Sequence, residues 1–242
     1  MKRFFYMILL FTMATVGSMT TAGQNMPADM EKYYMCLARR GPKWIGPQQP
    51  GSETELANHL EYVKKMAVSG KLVAAGPFID GGEITGIFVL RAASIDEAKA
   101  LIGEEPWTKA ERLSLEVIPW WALKGLGQEY SAEVKRNPGA EIPTVDYQIG
   151  LLKRGPKWTA ERTPETEQLQ ANHLAHIGKM AESGKLAVAG PFENGGDLRG
   201  VFLFRVSRME EAKAMSENDP AVRAGRLTVE LHPWKTYKGM MP

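Results

Sequence analysis

Hydrophobic and polar positions along the chain follow one order of patterns, and that order occurs twice. In the first half, apolar residues recur at helical spacing from Leu56 to Ala67, and the pair Gly81-Gly82 is typical of a hairpin turn. A second helical pattern begins near Ala98. Apolar or alternating runs of strand length cover residues 33–38, 72–78, 84–90 and 113–117. The predicted order of elements is βαββαβ.

The second half of the chain repeats this unit. An offset of about 114 positions aligns residues 33–125 with residues 147–239 without a gap, and roughly 42 of the 93 aligned positions are identical. Such self-similarity indicates a duplicated module. We therefore divide the chain into a leader, residues 1–23, two repeats, and a linker, residues 126–146.

The βαββαβ order predicts an α+β fold with ferredoxin-like repeats, in which both helices cover one face of an antiparallel sheet. The other face of each sheet must also be buried. We expect the repeats to pack sheet to sheet, so that the chain is an internal pseudo-dimer and a monomer in solution. The linker contains Asn137-Pro138-Gly139 and little apolar periodicity, which favours a surface connection.

Capping residues mark the predicted helix starts. A Ser or Thr followed three residues later by Glu is typical of a capping box, and Pro is favoured at the first helical position. The candidates are Ser52 with Glu55, Ser94 with Glu97, Ser207 with Glu210, and Thr163 followed by Pro164.

The N-terminus has the order of a secretory signal peptide. Lys2 and Arg3 precede an apolar run that ends near Val16, and small neutral residues follow up to Gly23. The run is shorter than the roughly 20 residues that span a bilayer, which argues against a permanent membrane anchor. We expect cleavage after Ala22 or Gly23 and an exported protein, periplasmic or extracellular.

Composition and charge narrow the classes of partner. Apolar residues make up 44% of the chain and charged residues 24%, which is near ordinary globular usage. The formal net charge of +2 includes the two cations of the leader, and no basic arm is present, so nucleic acid is not an expected partner. The single cysteine, Cys36, aligns with Gly150 and has no internal disulfide partner. We interpret it as a small buried residue, with a reactive thiol as the alternative.

A histidine recurs at the same place in both predicted first helices. His59 and His173 each stand in the sequence Ala-Asn-His-Leu, at helical spacing with apolar residues that face the sheet. A carboxylate on one ring nitrogen would hold the tautomer and leave the other nitrogen as a general base or acid. The alternative is a core histidine that a backbone carbonyl satisfies.

Three motifs together resemble the YCII-related proteins. They are the histidine of the first helix, the Ala-Gly-Pro run of the second strand, and the segment Asn218 to Gly225 before the last strand. The resemblance implies the dimeric α+β barrel fold, which muconolactone isomerases also use. It also implies a catalytic pair of His and the Asp of the Asp-Pro motif, here His173 and Asp219. At least one relative is similar to a dehydrochlorinase that acts on a chlorinated, hydroxylated aromatic ring.

The first repeat departs from this pattern. Glu105-Pro106-Trp107 stands where the second repeat has Asp219-Pro220-Ala221, so the carboxylate side chain is longer and its neighbour is bulky. We therefore expect His173 with Asp219 to be the working pair and His59 with Glu105 the weaker one. The alternative for Asp219 is purely structural, because Asp before Pro is a common N-cap.

Other repeated residues are candidates for ligand binding. Lys157 is placed to meet an anionic ligand, Arg226 to stabilise negative charge, and Trp158 either to stack on a ring or to close the core. His176 and His232 occur only in the second repeat and match no metal-ligand spacing. No phosphate loop or dinucleotide fingerprint is present, so we expect neither a metal nor a cofactor.

Two functions remain open from the sequence. One is a cofactor-independent isomerase or lyase that moves a proton on a small aromatic or lactone-like substrate. The other is a non-catalytic module of the cell envelope that binds a small molecule or another protein. They differ in whether a histidine and its carboxylate meet in a pocket.

Overall fold

The computed structural model describes residues 26–46 and 52–242, so the predicted leader lies outside the described residues. The strands are β1 Met30–Arg40, β2 Leu72–Pro77, β3 Ile84–Leu90, β4 Leu113–Leu123, β5 Thr144–Arg154, β6 Leu186–Pro191, β7 Leu198–Phe204 and β8 Leu227–Tyr237. The helices are α1 Glu53–Val68, α2 Ile95–Gly103, α3 Pro106–Lys109, α4 Gln128–Arg136, α5 Pro164–Glu182, α6 Met209–Glu217 and α7 Pro220–Arg223. None of these helices is long and apolar enough to cross a bilayer.

Each repeat forms one four-stranded antiparallel sheet, which confirms the predicted α+β fold. The strand orders are β2-β3-β1-β4 and β6-β7-β5-β8, so the first strand of each repeat lies inside its sheet. Cys36 of β1 is fully buried between its partners Phe88 and Val117. Burial raises the pKa of this thiol to about 12, which keeps it protonated and fits its interpretation as a core residue.

The two sheets meet at both of their edges and close a barrel. At one seam, between β2 and β8, Phe78 forms a backbone bridge with Trp234, and at the other, between β4 and β6, Trp120 forms one with Phe192. Closing a sheet in this way leaves its edge strands paired rather than open. The internal pseudo-dimer that the duplication predicts is therefore built through paired edges and a shared interior.

The Ala-Gly-Pro runs lie at these seams. The Nε1–H of Trp234 donates to the carbonyl of Gly76 at 3.1 Å, and that of Trp120 donates to the carbonyl of Gly190 at 3.1 Å. A Cβ on Gly76 would stand 1.9 Å from the Lys235 carbonyl oxygen, and the matching distance at Gly190 is 1.8 Å. Only glycine permits this approach of backbone to backbone.

The linker contains a helix that the sequence analysis did not anticipate. Leu126, Tyr130 and Val134 are buried, and the Tyr130 ring stacks on Tyr237 with centroids 5.5 Å apart. This part of the linker is a helix with one buried face and not an irregular connection. Two apolar residues four apart provide enough of a stripe for α4 to pack against the repeats.

The predicted caps have mixed outcomes. Thr163 caps α5 in a full capping box, which Thr166 completes, and Ser94 caps α2 by accepting from the Glu97 N–H. Two predictions are wrong. The Ser52 side chain does not cap α1, and its predicted partner Glu55 pairs with Arg112. Helix α6 begins one residue later than predicted, so that Arg208 takes the N-cap position in place of Ser207.

Replacing either seam glycine should destabilise the protein. Gly76→Ala and Gly190→Ala each force a methyl group into a backbone carbonyl, and we expect a loss of about 1–3 kcal/mol or more in the free energy of unfolding. Denaturant titration measures this. Gly178→Ala is the matched control, because nothing lies near its Cβ position within α5 and it should stabilise by about 0.5–1 kcal/mol. Unchanged stability in both seam variants would contradict this account of the barrel.

Candidate functional site

The structure brings each histidine to the carboxylate of its own repeat. In repeat 1, Nδ1 of His59 on α1 lies 2.8 Å from Oε1 of Glu105. In repeat 2, Nδ1 of His173 on α5 lies 2.7 Å from Oδ2 of Asp219. Both carboxylates are fully buried. The extra methylene of Glu105 does not prevent contact, so the first repeat also holds a complete pair.

Both carboxylates are also N-caps of the short helices that follow. Glu105 caps α3, where its Oε1 accepts from the Trp107 N–H and its Oε2 accepts from the N–H and the hydroxyl of Thr108. Asp219 caps α7, where its Oδ1 accepts from the Ala221 N–H at 2.8 Å. The capping and histidine-binding roles therefore coexist, because a carboxylate has lone pairs for both.

These hydrogen bonds control the charge of Glu105. Burial raises its pKa, but the hydrogen bonds from His59 and from the Trp107 and Thr108 donors outweigh it, so the pKa lies below its ordinary value. The carboxylate is thus ionised at neutral pH and can only accept. In neutral His59 the proton therefore sits on Nδ1, and Nε2 carries the free lone pair.

His59 lines a cavity of about 730 Å³, with Glu105 buried behind it. Its walls are mainly apolar and aromatic, and Arg40 and Lys235 are its two cationic residues. The aromatic walls include Trp44, Phe78, Phe88, Trp107 and Tyr237. Because Lys235 and Tyr237 belong to the second repeat, the site is complete only when both repeats are in place.

Trp107, the bulky neighbour of Glu105, forms part of the cavity wall. Its ring stacks on His59 with centroids 4.6 Å apart and an interplanar angle of 21°. Its Nε1–H is buried and has no hydrogen-bond acceptor within residues 26–46 and 52–242.

Repeat 2 differs at the same positions. Ala221 replaces the tryptophan, so His173 has no indole stacked on it, although its ring lies 6.0 Å from Phe202 much as His59 lies 6.1 Å from Phe88. Of the three predicted ligand-binding residues, Trp158 and Arg226 come together, with the guanidinium carbon 4.6 Å from the indole centroid. Lys157 is exposed. Arg199, which the sequence analysis missed, also lies 4.6 Å from this indole centroid.

The remaining histidines lie away from both pairs. His176 Nε2 is 3.0 Å from the Met215 carbonyl, and His232 stacks on Phe78 across one seam with its Nδ1 2.6 Å from Asp80. No cluster of His, Cys, Asp and Glu within the described ranges has the arrangement of a metal site. A larger open cleft of about 930 Å³ lies between the repeats and is lined by none of these histidines.

The sequence belongs to the family of proteins with a YCII-related domain. The family model matches residues 32–121 and again residues 152–235, which together cover most of the chain. The resemblance seen in the motifs is therefore confirmed, and the chain carries two copies of the domain. No curated protein sequence matches it significantly.

Solved structures similar to this chain have the same barrel. A mutant chlorite dismutase from Candidatus Nitrospira defluvii aligns with a TM-score of 0.54 and 14% identity, over 89% of this chain and 94% of that one. A novel heme-binding protein from Thermus thermophilus aligns with a TM-score of 0.52 and 16% identity, over 87% and 93%. At this identity the likeness establishes the dimeric α+β barrel fold and not the chemistry.

Replacing the Glu105 carboxylate should reduce stability in a pH-dependent way. Its pKa is lowered on folding, so its contribution is present above the ordinary Glu pKa of about 4.3 and is lost as the pH falls through the folded-state value. We expect Glu105→Gln to cost about 1.5–3 kcal/mol at neutral pH and much less in acid. Denaturant titration at neutral pH and in acid measures the free energy of unfolding under the two conditions.

Glu104→Gln is the matched control for this experiment. Glu104 precedes Glu105 directly, is largely exposed and pairs only with the exposed Lys109 among the described residues. The Glu104→Gln substitution should change the free energy of unfolding by less than about 1 kcal/mol. An equal, pH-independent loss in both variants would show that the buried carboxylate has no special role.

Proposed function

We propose that the cavity of repeat 1 is an active site that transfers a proton on a small ring-containing substrate without a bound cofactor, as an isomerase or lyase does. One observation carries the proposal: His59, held by the buried Glu105, lines a mainly apolar cavity of about 730 Å³. Cavities for small molecules are commonly about 300–1,000 Å³. The proposal moves the preferred site from His173, which the sequence favoured, to His59.

His59 is the proposed general base. With Nδ1–H held by Glu105, its Nε2 is the nitrogen available to take a proton from a substrate and return it at another position. Glu105 acts as a positioning residue, since its two oxygens already take part in four hydrogen bonds. A single side chain that shuttles one proton is sufficient for an isomerisation or an elimination.

The cavity walls define the substrate class. Aromatic walls favour a flat ring. Arg40 on the wall supplies positive charge, which stabilises an oxyanion that develops as the proton is removed. Lys235 contributes less, because its Nζ is paired with Asp146 at 2.7 Å. Phenols, aromatic acids and unsaturated lactones share these properties.

Matched histidine variants test the proposal. Phenols, aromatic acids and lactones are first screened by thermal shift, and each binder is then assayed for turnover. His59→Ala should lower kcat/KM by at least about 100-fold, whereas His173→Ala should stay within about threefold. Glu105→Gln should lower kcat more than it raises KM, because it disturbs the base rather than the walls.

Three outcomes would contradict the proposal. Loss of turnover in His173→Ala but not in His59→Ala would place the working site in repeat 2. Turnover that survives the double variant would remove the histidine mechanism. If the wild-type protein binds a compound without turning it over, and His59→Ala binds it equally well, the result would favour a non-catalytic binding module.

Haem is a second candidate ligand for the same cavity. The Thermus thermophilus structure is of a heme-binding protein, and haem iron commonly takes a histidine as its axial ligand. Histidines that ligate metals usually donate their other ring nitrogen to a carboxylate, as His59 does to Glu105. Haem would bring redox chemistry to the site. Titration with haemin should then give a Soret shift that His59→Ala abolishes.

We also propose that the protein is exported. The charged, apolar and small-residue order of residues 1–23 supports a cleaved signal peptide. Mass spectrometry of protein from the native host should give an N-terminus at Gly23 or Gln24, in a periplasmic or extracellular fraction. A chain that keeps residues 1–20 and sediments with membranes would contradict this.

A further inference from the structure

Three arginines of repeat 2 converge on one indole ring. The guanidinium carbons of Arg199 and Arg226 each lie 4.6 Å from the centroid of Trp158, and that of Arg154 lies 5.5 Å from it. Arg154 ends β5, Arg199 lies on β7 and Arg226 directly precedes β8. We call these three residues the arginine cluster. Like charges gathered this closely repel one another unless an anion compensates them.

Repeat 1 shows how the same positions are neutralised. Arg112, the counterpart of Arg226, binds Glu55 through two nitrogens at 2.9 and 3.0 Å. In repeat 2 the position of Glu55 is taken by Leu169. The Arg226 side chain turns instead to the Thr159 carbonyl. Arg226 therefore lacks the carboxylate that neutralises its counterpart Arg112 in repeat 1.

A second exchange adds a positive charge. Thr85 of repeat 1 corresponds to Arg199, so the two exchanges together make this region two charges more positive than its counterpart. Among the described residues, Arg226 binds the Thr159 carbonyl and no carboxylate acts on Arg199, whose charged neighbours are Arg154 and Arg226. Arg154 has one at 3.6 Å, but that partner, Asp197, is highly exposed and contributes little.

The cluster is partly shielded from water, which sharpens the repulsion. Arg199 is only partly exposed, and burial together with the charges of Arg154 and Arg226 lowers its pKa. An arginine stays protonated in proteins even so, because its ordinary pKa exceeds 12. The favourable way to relieve this electrostatic cost is to bind an anion.

The position of the cluster connects it with the second histidine pair. In repeat 1, Arg40, Trp44 and Thr85 line one cavity together with His59. Their counterparts are Arg154, Trp158 and Arg199, and the counterpart of His59 is His173. The cluster therefore occupies the side of repeat 2 that corresponds to the ligand cavity of repeat 1.

We propose that the arginine cluster is a binding site for a small dianion, a phosphate group or a dicarboxylate. Three guanidinium groups, with one exposed carboxylate beside them, leave about two positive charges to be neutralised. Guanidinium groups recognise phosphate and carboxylate oxygens through paired hydrogen bonds, which favours an oxyanion over a halide. The site is separate from the proposed proton-transfer cavity, so the two halves of the barrel would take different ligands.

Isothermal titration calorimetry of the full-length protein tests this with inorganic phosphate, succinate and acetate at neutral pH and constant ionic strength. Saturable binding of phosphate or succinate, each tighter than acetate, is the expected result. Binding of phosphate alone assigns a phosphate-bearing ligand, binding of succinate alone assigns a dicarboxylate, and either supports the dianion site. No saturable binding of phosphate or succinate would overturn it.

Two variants copy residues of repeat 1 into repeat 2. Arg199→Thr removes the extra positive charge. Leu169→Glu gives Arg226 a carboxylate partner, as Glu55 is the partner of Arg112 in repeat 1. Each should weaken dianion binding by roughly tenfold or more. Arg136→Ala is the control for net charge, because Arg136 is exposed on α4 and should leave the affinity unchanged. Equal affinity in wild type, Arg199→Thr and Leu169→Glu would place any observed binding elsewhere and overturn the proposal.

Discussion

The barrel depends on a contact made twice, in which the carbonyl of a glycine accepts from a buried indole N–H of the other repeat. The contact needs a residue without Cβ on one side and a large donor on the other. At Gly76 and Gly190 the opposing backbone leaves no room for a methyl group. Trp120 and Trp234 are almost fully buried, so the same residues close the seam and fill the space beneath it. The shared interior and the cavity at His59 follow from this closure.

The repeats share the glycines and tryptophans that close the seams and differ in the residues around the two proposed sites. The seam glycines and tryptophans are the same residues in both halves. The walls around the histidines differ, with Trp107 matched by Ala221 and Thr85 by Arg199. A duplicated gene allows this, because a substitution in one half is not copied into the other, as it is in a symmetric dimer. The apolar cavity of repeat 1 and the arginine cluster of repeat 2 are consistent with one scaffold that has acquired two different sites.

Local patterns predicted the elements well, because strand and helix periodicities report directly on which face is buried. The pairs His59–Glu105 and His173–Asp219 were expected from the resemblance to the YCII-related proteins and not from periodicity, and the structure places both within hydrogen-bond distance. The helix in the linker was missed because only Tyr130 and Val134 mark its buried face. Its burial depends on contacts with distant parts of the chain.

The features set by contacts between repeats were not predictable in the same way. The cavity at His59 takes part of its wall from Lys235 and Tyr237, far along the sequence. The Ala-Gly-Pro run is a family motif, yet its role at the seam is visible only against Trp120 and Trp234. Arg199 lies within β7, and only the comparison with the aligned Thr85 indicates that repeat 2 has an additional positive charge there. Pairings of this kind are properties of the closed barrel.

The linker with its docked helix also changes how the protein responds to dilution. Two separate domains of this kind would need to meet in solution, and at low concentration their barrel would come apart along both seams. Here the partners are tethered at an effective concentration on the order of millimolar, whatever the amount of protein present. Since β8 supplies part of the wall around His59, that site remains assembled even when single molecules are far apart. Fusion of the repeats has made the completeness of the site independent of protein concentration.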